Sequence, residues 1–389
     1  MPAPSLSART SASAVVNLFA YNGLVIGVWA ASLAALKDRL GLDAGGVAIL
    51  LVITGVAAIA AMQVGGRLTD SIGARRVAMA CVPLLIVGLV LAGFAVDFPM
   101  LIAAGVLLGL GNGGIDVSMN AIGVQVEAGR PKPIMSFFHG MWSVGNFTGA
   151  ALVLLASLAW ASAPVQAAVV LATVVGVGSL VIALRITPET AVVSHADESG
   201  AKSPIPRWAY LLGLMAIAFG LGEGTAMDWS GLHTAEVANI PPAQASVAVT
   251  VVAGFMVAIR LLGDALVARF GRRAVVRFGG TCAAIGYLIT AIATPLPVLL
   301  IGWAMVGFGI GMIAPQVYAV AGHAAGGRGL AVVVTFGYAT FLCGPALIGF
   351  LASHLGLQHT MFVPAALLAA LPFLASVMPD ERGPATASG

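Results

Sequence analysis

Apolar residues run along this chain in stretches too long for the amphipathic helices of a soluble domain. Twelve of them stand out, at about 13–35, 46–67, 77–96, 98–123, 134–158, 163–185, 207–231, 243–263, 274–293, 296–320, 329–353 and 359–378. Each approaches the roughly 20 residues that carry a helix across the hydrocarbon core. Backbone N–H and C=O groups find no water there, so each stretch is predicted to be a helix whose hydrogen bonds close internally. Polar segments separate the stretches. The longest is 186–206 (ITPETAVVSHADESGAKSPIP), which divides six spans from six.

Composition agrees. Of 389 residues, 60% are hydrophobic and only 8% charged, with a mean hydropathy of +1.03. Soluble domains carry about 25% charged residues. The expected fold class is therefore an all-α integral membrane protein. Its expected organisation is a disordered tail at 1–12, a six-helix bundle at 13–185, a linker at 186–206, a second bundle at 207–378 and a tail at 379–389.

Positive charge alternates between connections. One set of ends and loops holds Arg9, Arg67, Arg75, Arg76, Arg130, Lys132, Arg185, Lys202, Arg207, Arg260, Arg269, Arg272, Arg273, Arg277, Arg328 and Arg382. The other holds only Lys37 and Arg39. That is 16 of the 18 basic residues against 2. The positive-inside rule then places both termini and the central linker in the cytoplasm, with the protein in the cytoplasmic (inner) membrane. The net charge of +3 is absorbed by topology and calls for no nucleic-acid partner. Cys81, Cys282 and Cys343 all fall inside spans, an odd set expected to pack rather than to form disulfides.

The halves repeat each other at an offset of 198 residues. Gly73-Ala-Arg75-Arg76 returns as Gly271-Arg272-Arg273, Gly109-x-Gly111-x-Gly113 as Gly307-x-Gly309-x-Gly311, and Phe138 as Phe336. Repeats of this kind build transporters with a substrate site near the bilayer midplane.

Between spans 2 and 3 stands Gly66-Arg67-Leu68-Thr69-Asp70-Ser71-Ile72-Gly73-Ala74-Arg75-Arg76. It resembles the signature loop of the major facilitator superfamily, G-x-L-x-D-x-x-G-x-R/K-R/K. The second copy, Gly263 to Arg273, departs from the pattern, since its acid, Asp264, aligns with Gly66 rather than Asp70. Length, span count and halves fit the same family over the whole chain. The segments Gly114-Ile-Asp116-Val-Ser-Met-Asn120, Phe138-His139-Gly-Met-Trp142-Ser143 and Gly222-Glu223-Gly-Thr-Ala-Met-Asp228-Trp229 are similar to its bacterial fucose-permease and rhizopine-transport-related branch. The resemblance implies a monomeric secondary transporter whose two bundles alternate access to a central site. Gly66, Arg67, Asp70, Gly73, Arg75 and Arg76 would form a cytoplasmic gate. In that gate Asp70 would latch onto the positive N-terminal end of span 11, close to Arg328. An ordinary solvated turn fits the loop as well.

Ionisable groups inside a span cost roughly 2.5–3.5 kcal/mol on insertion scales, so they face a cavity or a partner. Three acids qualify: Asp116, Glu223 and, nearer an end, Asp228. Asn112, Asp116 and Asn120 follow one another at i, i+4, i+8 and share a face of span 4. Gly105, Gly109 and Gly113 make a second stripe suited to close packing. His139, Trp142, Ser143 and Asn146 share a face of span 5. Counted from the span ends at about 1.5 Å per residue, Asp116 and His139 reach similar depth and are expected to couple. A buried pair that only ties the two spans together fits the same count. Glu223 sits among Gly220, Gly222 and Gly224, where a kink or local unwinding is expected. It reads either as a proton carrier or as a carboxyl capping a broken helix. Asp228 and Trp229 read as cavity rim or as interfacial anchor.

Proton-coupling candidates are thus Asp116, Glu223 and His139. Substrate-binding candidates are Tyr21, Asn22, Asn112, Asn120, Trp142, Asn146, Gln316 and Tyr338, with Pro315 as an expected kink. By the resemblance, spans 1, 4, 7 and 10 line the cavity. Spans 3, 6, 9 and 12 are nearly pure Ala, Val, Leu, Ile and Gly and read as lipid-facing supports. Gly109-x-Gly111-x-x-Gly114 follows no strand and is helix packing rather than a dinucleotide loop. Asn146-Phe-Thr148 lies within a span and is no glycosylation site. His195, His233, His354 and His359 lie at loops or span ends without metal spacing. The sequence calls for no cofactor, no metal and no enzymatic role. Its expected partners are a small-molecule substrate, protons and the lipid bilayer. An amide-rich cavity points to proton symport of a sugar, polyol or cyclitol. The alternative is a proton-coupled drug or metabolite efflux antiporter, but span 4 lacks the Arg and span 5 the Gly-Pro motif usual in such pumps.

Overall fold

The computed structural model describes residues 6–130, 134–186 and 207–378. The side chains of residues 6–10, 207, 264, 322–331 and 341 lie outside the description. So do the expected tail at 379–389 and the linker from residue 187.

The regular elements are helices: α1 (Leu6–Arg39), α2 (Ala44–Ile72), α3 (Ala74–Gly93), α4 (Phe98–Ala128), α5 (Met135–Ala159) and α6 (Pro164–Ala183) in the first half. The second holds α7 (Arg207–Val237), α8 (Ser246–Phe270), α9 (Arg272–Ile292), α10 (Leu296–Ile310), α11 (Ile313–Thr360) and α12 (Phe362–Leu374), closed by a 3-10 turn at Ala375–Val377. Eleven described stretches are long and apolar enough to cross a membrane, and Phe362–Val377 is a shorter twelfth. The chain divides into two compact units, residues 1–200 with 241–250, and 201–240 with 251–389.

Local chemistry sets several boundaries. The Asp43 carboxylate accepts from Gly46 N at 2.7 Å and opens α2. Asp97 accepts from Met100 N at 2.8 Å and opens α4. Gly73 (φ 94°) and Gly271 (φ 78°) turn the chain from α2 to α3 and from α8 to α9 in a conformation other residues avoid. The expected kink at Pro315 appears as a break between α10 and α11 at Gly311 and Met312. The proline ring displaces the carbonyl four residues earlier, that of Gly311.

Some boundaries differ from the sequence reading. α1 is helical from Leu6, and Ser11 and Ala12 are buried, so residues 6–12 extend the first span instead of forming a tail. α8 runs on to Phe270. Arg260 therefore lies well inside the helix rather than at its end, and drops out of the count of end and loop charges. The connection expected after residue 320 is helical backbone. Cys343 is exposed rather than packed. α7 is continuous through its three glycines. Gly220 and Gly222 instead admit Thr340 and Leu368 to close range.

The repeat is preserved as contacts. A Cβ at Gly109 or Gly113 would strike α2 at Thr54 and Ala58, and one at Gly111 would strike α3 at Leu85. In the second half, Gly307 and Gly311 meet Val252 and Met256 of α8, and Gly309 meets Ala283 of α9. Each partner lies 198 residues after its counterpart. Phe138 of α5 is buried and stacks on Phe19 of α1, while Phe336 of α11 packs at Gly213 of α7.

Arginines close the helix ends. Arg75 of α3 donates to Leu184 O beyond α6 at 2.5 Å. Arg273, its counterpart in α9, donates to Met378 O beyond α12. Arg39 donates to Gly93 O and Ala92 O at the end of α3, at 2.8 and 3.2 Å. A cation at carbonyls left unpaired at a helix C-terminus is favourable. This contact gives Arg39 a local reason to sit on the side otherwise poor in positive charge.

Candidate functional site

In the first half, polar side chains converge on Asn22 of α1, which is 1% exposed. Its Nδ2 donates to Asn112 Oδ1 of α4 at 2.9 Å. Its Oδ1 accepts from Trp142 Nε1 of α5 at 2.6 Å. One amide thus uses both of its ends to join three helices. α1 comes this close to α5 because Gly23 and Gly27 face the Trp142 and Asn146 carbonyls, while Gly145 and Gly149 face those of Ala20 and Leu24. Asn22→Ala is expected to lower stability by about 1–3 kcal/mol, because it strands the Trp142 and Asn112 groups. The unfolding midpoint in detergent measures it.

Asp116 lies one turn along α4 from Asn112, and Asn120 Nδ2, a further turn on, donates to Asp116 O at 2.8 Å and to Asp116 Oδ1 at 3.3 Å. The i, i+4, i+8 stripe therefore forms as expected. His139 is exposed and meets Phe19 edge-on at 5.2 Å, and the described contacts do not join it to Asp116. α4 and α5 meet where Gly123 approaches Met135 and Phe138 and Glu127 accepts from Ile134 N and Met135 N at 2.6 and 2.8 Å.

Tyr21 turns away from Asn22. It is 2% exposed and lies against Gly176 of α6 and Ile86 of α3. On the same face Asn17 donates to Ser179 at 2.7 Å. Asn146 is buried in α5, and its Nδ2 has no hydrogen-bond partner among the described residues.

In the second half, Glu223 of α7 and Arg260 of α8 form an ion pair, Oε1 to NH2 at 3.1 Å, with both side chains 22% exposed. Sequence reasoning missed this pair by counting Arg260 with the charges of the span ends. The signal was present, since Arg260 stands between Ala258-Ile259 and Leu261-Leu262. Around the acid, Tyr287 of α9 donates its hydroxyl to Gly222 O. Tyr318 of α11 lies within electrostatic reach of both Glu223 and Tyr338, and its ring meets Phe219 at 5.6 Å. Gln316 is held by Arg272 NH1 at 3.1 Å and Tyr338 is partly exposed.

Two further readings change. Trp229 is 1% exposed, buried within α7 and no interfacial anchor. His233 is no loop residue. It is buried, its Nε2 donates to Thr290 O at 3.1 Å, and its ring meets Trp303 edge-on. Trp303 donates to Thr234 and packs on Tyr287. Span 9 thus contributes Tyr287 and Thr290 to a buried polar and aromatic knot and is more than a support. Asp228 is partly buried.

In the signature loop, Gly73 makes the turn and Arg75 closes α6. Asp70 sits in the last turn of α2, and the side chain of Arg328 lies outside the described residues.

A chain of membrane helices in two repeated halves, with carboxylates, amides and an ion pair inside the spans, is built to pass a solute rather than to react with it. The profile of the Major Facilitator Superfamily matches residues 11–237 and 212–389, and the chain belongs to this family of transporters. It is 32% identical over 365 residues to the uncharacterized transporter y4wD of Sinorhizobium fredii, covering 92% of this chain and 96% of that protein. It is 27% identical over 358 residues to the membrane protein MosC of Rhizobium meliloti, covering 91% and 86%. Among solved structures it is similar to the nucleoside transporter NupG, with a TM-score of 0.74, 13% identity, and coverage of 94% and 100%. That likeness is one of fold.

Proposed function

We propose that the protein takes up a small polar, hydroxylated solute of the sugar, polyol or cyclitol kind together with protons. It works as a monomer in the cytoplasmic membrane, both termini inside, by alternating access. The observation that carries this reading is the Asn112–Asn22–Trp142 chain one helical turn from Asp116. Amides and an indole N–H suit hydroxyl groups. Asp116, whose described partner is the neutral Asn120, is the residue expected to load and release the proton. Glu223 is held by Arg260 at 3.1 Å.

Purified protein in proteoliposomes tests it. An inward proton gradient should drive accumulation of a labelled sugar, polyol or cyclitol. Asp116→Asn should reduce accumulation to the level of empty vesicles while leaving exchange of solute across the membrane intact. Unchanged gradient-driven accumulation in Asp116→Asn would refute the role of Asp116. Movement of solute only against an opposing proton flux would make the protein an antiporter.

A further inference from the structure

α9 is apolar enough to cross a membrane, yet it carries an arginine on its outward face. Arg277 stands five residues after Arg272, about 7.5 Å along the helix axis, and is exposed. Thr281, Ile285, Leu288 and Ile292 follow at helical spacing and are exposed as well. Arg277 thus heads a stripe that meets acyl chains in a membrane, while Tyr287 and Thr290 fill the buried face of the same helix. Gly280 brings α9 onto α12, since a Cβ there would strike Leu371 and crowd Leu368 O. At this crossing Arg277 Nε donates to Pro372 O at 3.1 Å. That bond seats the guanidinium beside Phe278 and Phe373, which are 59% and 79% exposed. The two terminal amino groups of Arg277 have no hydrogen-bond or ion-pair partner among the described residues.

The internal repeat shows that packing does not require this arginine. The residue 198 positions earlier, at the corresponding place in α3, is Met79. The neighbouring arginines do recur, and both Arg75 and Arg273 donate to carbonyls at a helix end. The fold therefore calls for Arg273 twice over and for Arg277 only once. A guanidinium at this depth reaches along apolar surface toward the headgroups. Its planar fork matches two oxygens of a phosphate. A zwitterionic headgroup brings its own cation to that phosphate, and an anionic one does not. We propose that the outer groove between α9 and α12 binds an anionic glycerophospholipid, with Arg277 on the phosphate and Phe278, Phe373 and Ile285 along the acyl chain. This site goes beyond the uptake reading above and does not rest on it.

Dioleoylphosphatidylglycerol is the probe, set against dioleoylphosphatidylcholine and inorganic phosphate. The full chain, stripped of lipid in detergent, is titrated with each, and bound lipid is counted by native mass spectrometry. The wild-type protein should retain phosphatidylglycerol in preference to phosphatidylcholine, and millimolar phosphate should not displace it. Arg277→Met, which copies the first half, should weaken phosphatidylglycerol binding about fivefold and leave phosphatidylcholine binding unchanged. Arg269→Gln removes another exposed arginine at the same end of the bundle and should alter neither. Asp380 and Glu381 lie outside the described residues, so Asp380→Asn/Glu381→Gln is made as a background in which the effect of Arg277→Met should persist. Should Arg277→Met fail to fold, a diazirine-bearing phosphatidylglycerol on the wild-type protein decides, with crosslinks expected in peptides of α9 and α12. Equal binding by wild type and Arg277→Met overturns the proposal. An equal loss in Arg269→Gln does so too, because surface charge alone then accounts for it. Displacement by phosphate would make this a site for free anions, loss of the effect in the neutralised background would give Arg277 a partner in the chain, and crosslinks only elsewhere would place the lipid on another face. Each of these also overturns it. Solute uptake into vesicles is scored separately and is untouched by any of these results.

Discussion

Gly145→Leu should yield little folded protein, while Gly178→Leu should behave as wild type in size-exclusion profile and unfolding midpoint. Both are glycines within membrane helices, so propensity and hydrophobicity do not separate them. Their surroundings do. A Cβ at Gly145 would collide with the Ala20 carbonyl and crowd Leu24 N, whereas Gly178 has no atom within 4 Å of that position. Overpacking a core typically costs about 1–3 kcal/mol when neighbouring side chains give way. At Gly145 the obstacle is main chain, which cannot change rotamer, so α1 and α5 must part. Parting them also breaks the Trp142–Asn22 bond at 2.6 Å. Equal yields from the two variants would show that the crossing is looser than its glycines imply.

Arg260→Met should be more destabilising than Arg260→Met combined with Glu223→Gln. The single change strands an anion in the membrane, and the second removes it. Breaking a fully buried pair by deleting one partner costs about 3–5 kcal/mol. Here each side chain keeps about a fifth of its exposure, so about 2 kcal/mol is the reasonable figure, with at least half recovered in the double variant. Unfolding midpoints of the four proteins in a double-mutant cycle measure the coupling. Additive losses would mean that the two residues act apart despite their distance.

The fold was legible because lipid writes it in composition. A helix that must bury its own backbone reads as an apolar run, and the glycine repeat announced the second half before any contact was known. The preserved offset from Thr54 to Val252 and from Leu85 to Ala283 makes that repeat a matter of packing. The site was legible residue by residue and not pair by pair. Asn22, Asn112 and Trp142 stood out as polar groups in apolar runs, but that a single amide joins them depends on which helices touch. His139 was paired with Asp116 on depth alone. Depth is a one-dimensional quantity and does not say which faces of α4 and α5 meet. Arg260 was lost because charge counting treats a basic residue near a span end as topology. A helix two turns longer than its apolar run turns the same residue into a membrane cation. His233 and Trp229 were lost for the same reason, since α7 continues to Val237 and carries both into the interior.

The α1–α5 crossing also bears on movement. Interlocked side chains can hop to a second rotamer and let one helix ratchet past its neighbour. Main chain resting on main chain, at Gly23, Gly27, Gly145 and Gly149, has one register and no alternative. The crossing behaves as a rivet. Whatever stroke carries a solute across, these two helices ride through it together, with Asn22 and Trp142 in fixed relation. Bending then falls to places where the helical ladder is already interrupted, and the break at Gly311 and Met312 is one of them.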